Sequence, residues 1–424
     1  MVEYCWLLII HAIFNIKKDK EIFMNNFTYY TPTKVVFGKD SELQLASLLE
    51  EFHCTKVLLH YGGGSAKRSG LLSRIENILS EANIGYVSLG GVKPNPRLSL
   101  VYEGIDLCRK ENVDFILAVG GGSVIDSAKA IGYGLANEGD VWDFYKKVRM
   151  PNACMPIGCI LTIAAAGSEM SNSSVITNED GWLKRGCNTD YCRLKFAIMN
   201  PELTYTLPEY QTASGCVDII MHTMERYFNQ AENMELTDGI SEALMRTVME
   251  NAKILKKDPT NYNARAEVMW ASSLSHNGLT GCGTDGGDWA SHQLEHELGG
   301  MFDVAHGAGL SAIWGSFARY VYKDNLLRFA KFAVKVHKIA ASGKDLTSLP
   351  EEELDALALA GIKAMENFYH SIDMPTSLHE LGVDVTDEQI EELAEKCSFH
   401  QTRTIGIVKK LDKADMIEIY KAAR

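Results

Sequence analysis

Five side chains in one stretch of the 424-residue sequence stand out by type and spacing: Asp218, His222, His292, His296 and His306. Asp218 and His222 are four apart in a helical pattern, so both project from one face. His292 and His296 repeat that interval, and His306 follows a Gly299-Gly300 break. One such pair is ordinarily a surface or satisfied core feature. Two pairs and a further histidine point to a metal site. Neutral imidazoles with one carboxylate suit Zn2+ or Fe2+ and leave room for a substrate oxygen in an open shell. His276, one turn short of the Gly281–Gly287 glycine cluster, stays undecided at this level, and the remaining histidines read as surface or core residues. The pentapeptide His292-Gln-Leu-Glu295-His296 also matches a metallopeptidase pattern in which Glu295 is the catalytic carboxylate. That alternative leaves Asp218, His222 and the glycine loops without a role.

The glycine loops are the second constellation. Gly120-Gly121-Gly122-Ser123-Val-Ile-Asp126 lies between an apolar strand-like run and a helical stretch. Glycines there let the backbone approach a phosphate, and the helix start offers free N–H groups and a positive dipole end. The sequence is neither Gly-x-Gly-x-x-Gly nor a P-loop, which would carry a lysine. Its place after a strand in an alternating pattern favours phosphate over an empty turn. Gly62-Gly63-Gly64-Ser65 occupies the equivalent junction one unit upstream.

The elements that position these residues divide the chain in two. From Lys56 to His60, Gly85 to Leu89 and Asp114 to Val119, strand-like runs alternate with helical periodicity, and Pro156–Leu161 and Lys195–Met199 are further buried-strand candidates. This pattern predicts a parallel sheet with crossover helices. After Leu207 helical periods dominate: 242–255, 264–279, 310–322, 327–341 and 354–369. The expectation is therefore α/β, with a Rossmann-like parallel-sheet domain over 24–206 and an all-helical metal-binding domain over 207–424. Residues 1–23 read as an N-terminal extension, because Phe27–Phe37 gives two strand-like runs about Thr31-Pro32-Thr33 and no motif needs what precedes them. The net charge of −13 argues against nonspecific binding to nucleic acid or anionic membranes. No apolar run near the start is long enough to span a bilayer. Ten scattered cysteines without a Cys-x-x-Cys pair fit free thiols in a reducing cytoplasm.

Together these motifs resemble the iron-containing alcohol dehydrogenase family, in its NADPH-dependent butanol dehydrogenase and aldehyde reductase branch. The resemblance runs from about Phe27 onward through Tyr61-Gly-Gly-Gly-Ser65, Pro94-Asn-Pro96, Gly120–Lys129, Gly167-Ser-Glu169, Asp218-x-x-x-His222, Asp288–His296 and Ala305-His306-Gly307. It implies a dehydroquinate synthase-like two-domain enzyme with its site between the domains. It also implies one divalent metal, Fe2+ or Zn2+, on Asp218, His222, His292 and His306. His296 matches a histidine that faces the reacting centre without ligating. The cofactor positions fall on Gly62, Gly63, Gly64, Ser65, Asn95, Gly121, Gly122, Ser123, Asp126, Thr162 and Lys184. Ala166 and Ser171 depart from the threonine and asparagine that many relatives carry there.

The expected reaction transfers hydride between a nicotinamide and a short-chain primary alcohol or aldehyde, such as butanol or butanal, while the metal polarises the carbonyl. NADP(H) is expected over NAD(H): Tyr61–Ser65 offers no carboxylate to a ribose 2′-hydroxyl, and Lys67 and Arg68 suit a 2′-phosphate. Two rival classes are a catalytically silent metal-binding relative and a sugar-phosphate cyclase. The second is disfavoured by the lack of Lys or Arg between Asp288 and His306. A homodimer acting on a small molecule, with no nucleic-acid or membrane partner, is the expected assembly.

Overall fold

The computed structural model describes residues 23–343 and 345–424. The expectation that 1–23 is a separable extension thus lies almost wholly outside the described residues.

In chain order the first half holds β1 (Lys34–Phe37), α1 (Leu45–Glu50), β2 (Lys56–Gly62), α2 (Ser65–Arg68), α3 (Leu71–Glu81), β3 (Gly85–Val92), α4 (Leu98–Glu111), β4 (Phe115–Gly120), α5 (Gly122–Ala136), α6 (Trp142–Tyr145), β5 (Ile157–Leu161), β6 (Ser173–Asn178), β7 (Leu183–Asn188) and β8 (Phe196–Met199). Six strands form one sheet in the order β1-β8-β5-β4-β2-β3, every neighbouring pair parallel. Its central strands are apolar at most positions because both faces are covered. Val57, Leu59, Phe115, Leu117 and Val119 pack with α1 and α3, while Leu58, Ile116 and Ala118 pack with α4 and α5. This is the parallel-sheet architecture expected.

Two details differ. Residues 27–33 form no strand; only Lys34–Phe37 pairs, with Phe196–Met199. The Phe27–Tyr30 run pairs with no strand, and Phe27, Tyr29 and Tyr30 are exposed. The antiparallel hairpin β6–β7 was not foreseen, because Ser173–Asn178 and Leu183–Asn188 are too polar to read as strands.

The second half is helical: α7 (Glu209–Tyr227), α8 (Glu235–Lys257), α9 (Tyr262–His276), α10 (Ala290–Phe302), α11 (His306–Val321), α12 (Leu326–Lys335), α13 (Glu351–Ser371), α14 (Asp387–Cys397) and α15 (Lys413–Ala423). Two ends fall short of the periodicity. α9 stops before Gly278, whose φ of 102° leaves the helical region, and α12 stops before Lys338 at φ 60°. α7, α10 and α11 are buried on almost every side, and their apolar residues share one core with Trp314, Phe329 and Tyr369. Such surroundings fix the histidines on these helices in place.

Candidate metal and cofactor cleft

A cleft of about 1430 Å3 opens between the C-terminal ends of the strands and α7, α10 and α11. Ligands in open α/β sheets bind at that end of the strands. All the residues expected at the site line it: Gly62 to Ser65, Asn95, Gly121, Gly122, Ser123, Asp126, Thr162 and Lys184 on one side, and Asp218, His222, His292, His296 and His306 on the other.

The sheet side is made of backbone. Gly64 has φ 126°, a conformation open to glycine. A Cβ on Gly121 would stand 2.8 Å from Cβ of Ile163, and one on Gly122 3.2 Å from Cβ of Ala166. Gly122 opens α5, so the first N–H groups of a fifteen-residue helix face the cleft with no side chain in the way. Asp126 is already engaged: it accepts hydrogen bonds from Ser168 Oγ and, at 3.0 Å, from the Val175 amide, which ties the hairpin to α5. Asn95 turns its amide toward the other half, donating to Asp303 Oδ1 at 3.1 Å beside the Arg97–Asp303 ion pair at 3.0 Å. Lys129 was not foreseen. Fully buried, it donates to the carbonyls of Ser168, Ser171 and Ser173 at 2.7, 3.0 and 2.8 Å and so sets the course of the loop beneath the cleft.

The helical side is made of side chains. His222 Nδ1, His306 Nε2 and His292 Nε2 lie 3.0, 3.7 and 3.8 Å from Asp218 Oδ1. Asp218 Oδ1 and His292 Nε2 are buried with no hydrogen-bond partner. Orphaned buried polar atoms are costly, and two that face one point demand a shared partner. Asp218, His222 and His292 also fall within the spread that one ion can span. A carboxylate and imidazoles fit a divalent cation of the Fe2+ or Zn2+ type.

His292 and His306 each have the other ring nitrogen occupied, while His222 turns Nδ1 toward both the carboxylate and the carbonyl of Asp218. His222 Nδ1 meets the Asp218 carbonyl at 3.0 Å, His292 Nδ1 meets Glu225 Oε1 at 2.9 Å, and His306 Nδ1 meets Glu295 Oε2. Sequence reasoning missed Glu225, seven residues after Asp218 on the same helix, and saw Glu295 only as a peptidase carboxylate. Burial opposes the imidazolium of His292, but the Asp218 and Glu225 carboxylates beside it override that and raise the pKa to about 9. His222 is lowered to about 4, chiefly by burial. Burial works against the Asp218 anion, yet His222 and His306 hold its carboxyl well below the usual range. These opposed shifts in one cleft mark a site built for charge.

His296 stands apart from this cluster. Its ring is 6.4 Å from that of His292 and 5.8 Å from that of His306, and burial keeps it neutral. His276, undecided from sequence, sits with its ring 4.0 Å from His222 and its Nδ1 on the Ala166 carbonyl at 2.8 Å, so it joins the two sides of the cleft.

One alternative meets an obstacle here, and the objection to another weakens. The peptidase arrangement needs His292 and His296 on one ion with Glu295 free. Their rings instead stand at 86° to one another, and Glu295 is wholly buried against His306 and Lys184. The argument against a cyclase does not survive in its original form, because Lys184, Arg185 and Arg403 reach the cleft from outside the Asp288–His306 segment.

Comparison with known proteins decides the family. Residues 32–201 match the model described as iron-containing alcohol dehydrogenase, and residues 212–424 match the C-terminal model of the Fe-containing alcohol dehydrogenase family. The chain is 38% identical over 400 residues to the probable NADH-dependent butanol dehydrogenase 1 of Bacillus subtilis, covering 94% of this chain and 100% of that protein. It is 34% identical to the NADPH-dependent aldehyde reductase YqhD of Escherichia coli, with 95% and 100% covered. The crystal structure of NADH-dependent butanol dehydrogenase A from Thermotoga maritima superposes with a TM-score of 0.89 at 35% identity, over 95% of this chain and 100% of that one. The chain belongs to the iron-containing alcohol dehydrogenase family.

Proposed function

We propose that this protein is a metal-dependent, NADP(H)-linked alcohol dehydrogenase and aldehyde reductase for short-chain primary alcohols and aldehydes such as butanol and butanal. The observation that carries the reading is the convergence of the unpartnered Asp218 Oδ1 and His292 Nε2, with His222 and His306, opposite the glycine-lined start of α5 in one cleft. A divalent cation held by these four side chains supplies Lewis acidity to the carbonyl oxygen. A reduced nicotinamide supplies the hydride.

The chain's own residues do the rest. Gly121, Gly122 and the first turn of α5 bind the pyrophosphate through backbone N–H groups. Gly62 to Ser65 takes the adenosine end, where Arg68 reaches the loop: its Nη1 lies 3.1 Å from where a Cβ on Gly64 would stand. His296, neutral and beside the metal ligands, is placed to accept or relay a proton. The relatives divide in their names between NADH and NADPH. The preference for NADP(H) therefore rests on this loop, which carries no carboxylate and is followed by Lys67 and Arg68. A homodimer and a cytoplasmic location complete the reading, to be checked by sedimentation and by fractionation.

The deciding experiment follows NADPH and NADH oxidation by protein reconstituted with Fe2+ or Zn2+ across a panel of aldehydes. Reduction of butanal, lost on chelation and faster with NADPH, is the expected result. No turnover with any aldehyde at full metal occupancy would leave a silent relative instead.

A further inference from the structure

Lys184, expected at the cofactor, lines the cleft and also reaches across to the helical side. Only 5% exposed, it lies 3.2 Å from Glu295 Oε2 and 3.4 Å from His306 Nδ1. Glu295 is fully buried and accepts from His306 Nδ1 through the same oxygen. A proton on Nδ1 leaves Nε2 with its lone pair, and Nε2 is the atom turned toward Asp218 Oδ1 at 3.7 Å. Fixing the tautomer and ring angle of a ligand in this way is what carboxylates behind metal-bound histidines do.

The space for this pair is built into two helices. On α10, a Cβ at Gly299 would come within 3.0 Å of both Glu295 Oε1 and Lys184 Nζ. On α11, a Cβ at Gly309 would come within 2.8 Å of Glu295 Cγ and 3.1 Å of its Oε1. Glycine is unfavourable inside a helix, so both positions give up helix stability where the ion pair needs room. Lys184 arrives from the β6–β7 hairpin of the other half, so the support of a helical-side ligand comes partly from the sheet side.

We infer that Glu295, neutralised by Lys184, is the positioning residue that holds His306 in its metal-ligating tautomer. The inference rests on the proposed metal site. Glu295→Gln keeps an acceptor for the imidazole N–H but removes the charge. The double variant Lys184→Met with Glu295→Gln removes both buried charges at similar volume and so keeps the test open if the single variant folds poorly. Competition with a chelator dye should show the Zn2+ dissociation constant rising tenfold to a hundredfold in both, order-of-magnitude effects for this kind of support. A merely structural role would lower the melting temperature of the metal-free protein and leave that constant alone. Wild-type Zn2+ affinity in the double variant overturns the inference. If the wild-type protein itself binds no divalent metal, the proposed function fails and not merely its support.

Discussion

Two buried histidines, His60 in the sheet and His292 among the helices, show how the same residue serves opposite ends. His60 lies at the core of β2 with both nitrogens satisfied, Nδ1 at 2.9 Å from the Leu89 carbonyl and Nε2 at 2.9 Å from Ser127 Oγ. Burial lowers its pKa to about 4, so it is a neutral packing residue. His292 is as deeply buried, but only Nδ1 is matched, by Glu225, while Nε2 faces Asp218 without a bond. Burial alone therefore says little about role. The unmatched atom, aimed at other unmatched atoms, separates a site from a core.

The largest test removes a member of the unmatched set. His306→Ala should lower bound metal, read by elemental analysis, and cut turnover about a thousandfold or more, on the order of 4 kcal/mol of barrier. Full occupancy in that variant would remove His306 from the ligand set. Next, His296→Ala should keep the metal and lose about a hundredfold in kcat, within the span of general acid–base effects. Loss of metal there, with retention in His292→Ala, would exchange the two roles.

His60 gives the contrasting prediction. Its folded pKa lies below the unfolded value of 6.5, so below that pH the unfolded chain takes up a proton that the folded one refuses. Stability should therefore fall as pH drops from 6.5 toward 4, by about 2 kcal/mol at pH 5 from this residue. Denaturant titrations should show that slope in wild type and a shallower one in His60→Gln. Equal slopes would remove His60 from the account. The smallest effect concerns the loop just after His60. A Cβ at Gly62 would make only ordinary contacts, 3.5 Å from the Val92 carbonyl, so Gly62→Asp should fold. It should shift the kcat/KM ratio away from NADPH by about tenfold through charge repulsion. A wild-type preference for NADH, or an unmoved ratio, would place the 2′-phosphate elsewhere.

Much of this was legible in the sequence because period and spacing are local properties. The apolar β4 and the mostly apolar β2 announced a sheet covered on both faces, and Asp218/His222 announced a shared helix face. What escaped depended on distance. Glu225 reads as one more helical glutamate until α10 brings His292 against it, and nothing local gives Lys129 its role until three carbonyls close around it. α14 and α15 are different, since their signals were local. Thr386 with Gln389, and Asp412 with Asp415, form capping boxes that spacing alone could have revealed.

The pairing of β1 with β8 bears on how the chain is made. Lys34 finds its partner only at Phe196, so the first strand leaves the ribosome long before its neighbour exists. β2, β3 and β4 can assemble from nearby sequence while synthesis continues, but the sheet edge cannot close until residue 199 has emerged. During that interval an apolar, unpaired strand next to exposed Phe27, Tyr29 and Tyr30 is a ready template for association with other nascent chains. Closing a contact of such long range is also slow. The N-terminal edge of the sheet, far in sequence from the candidate metal ligands, is thus the last part of it that can close.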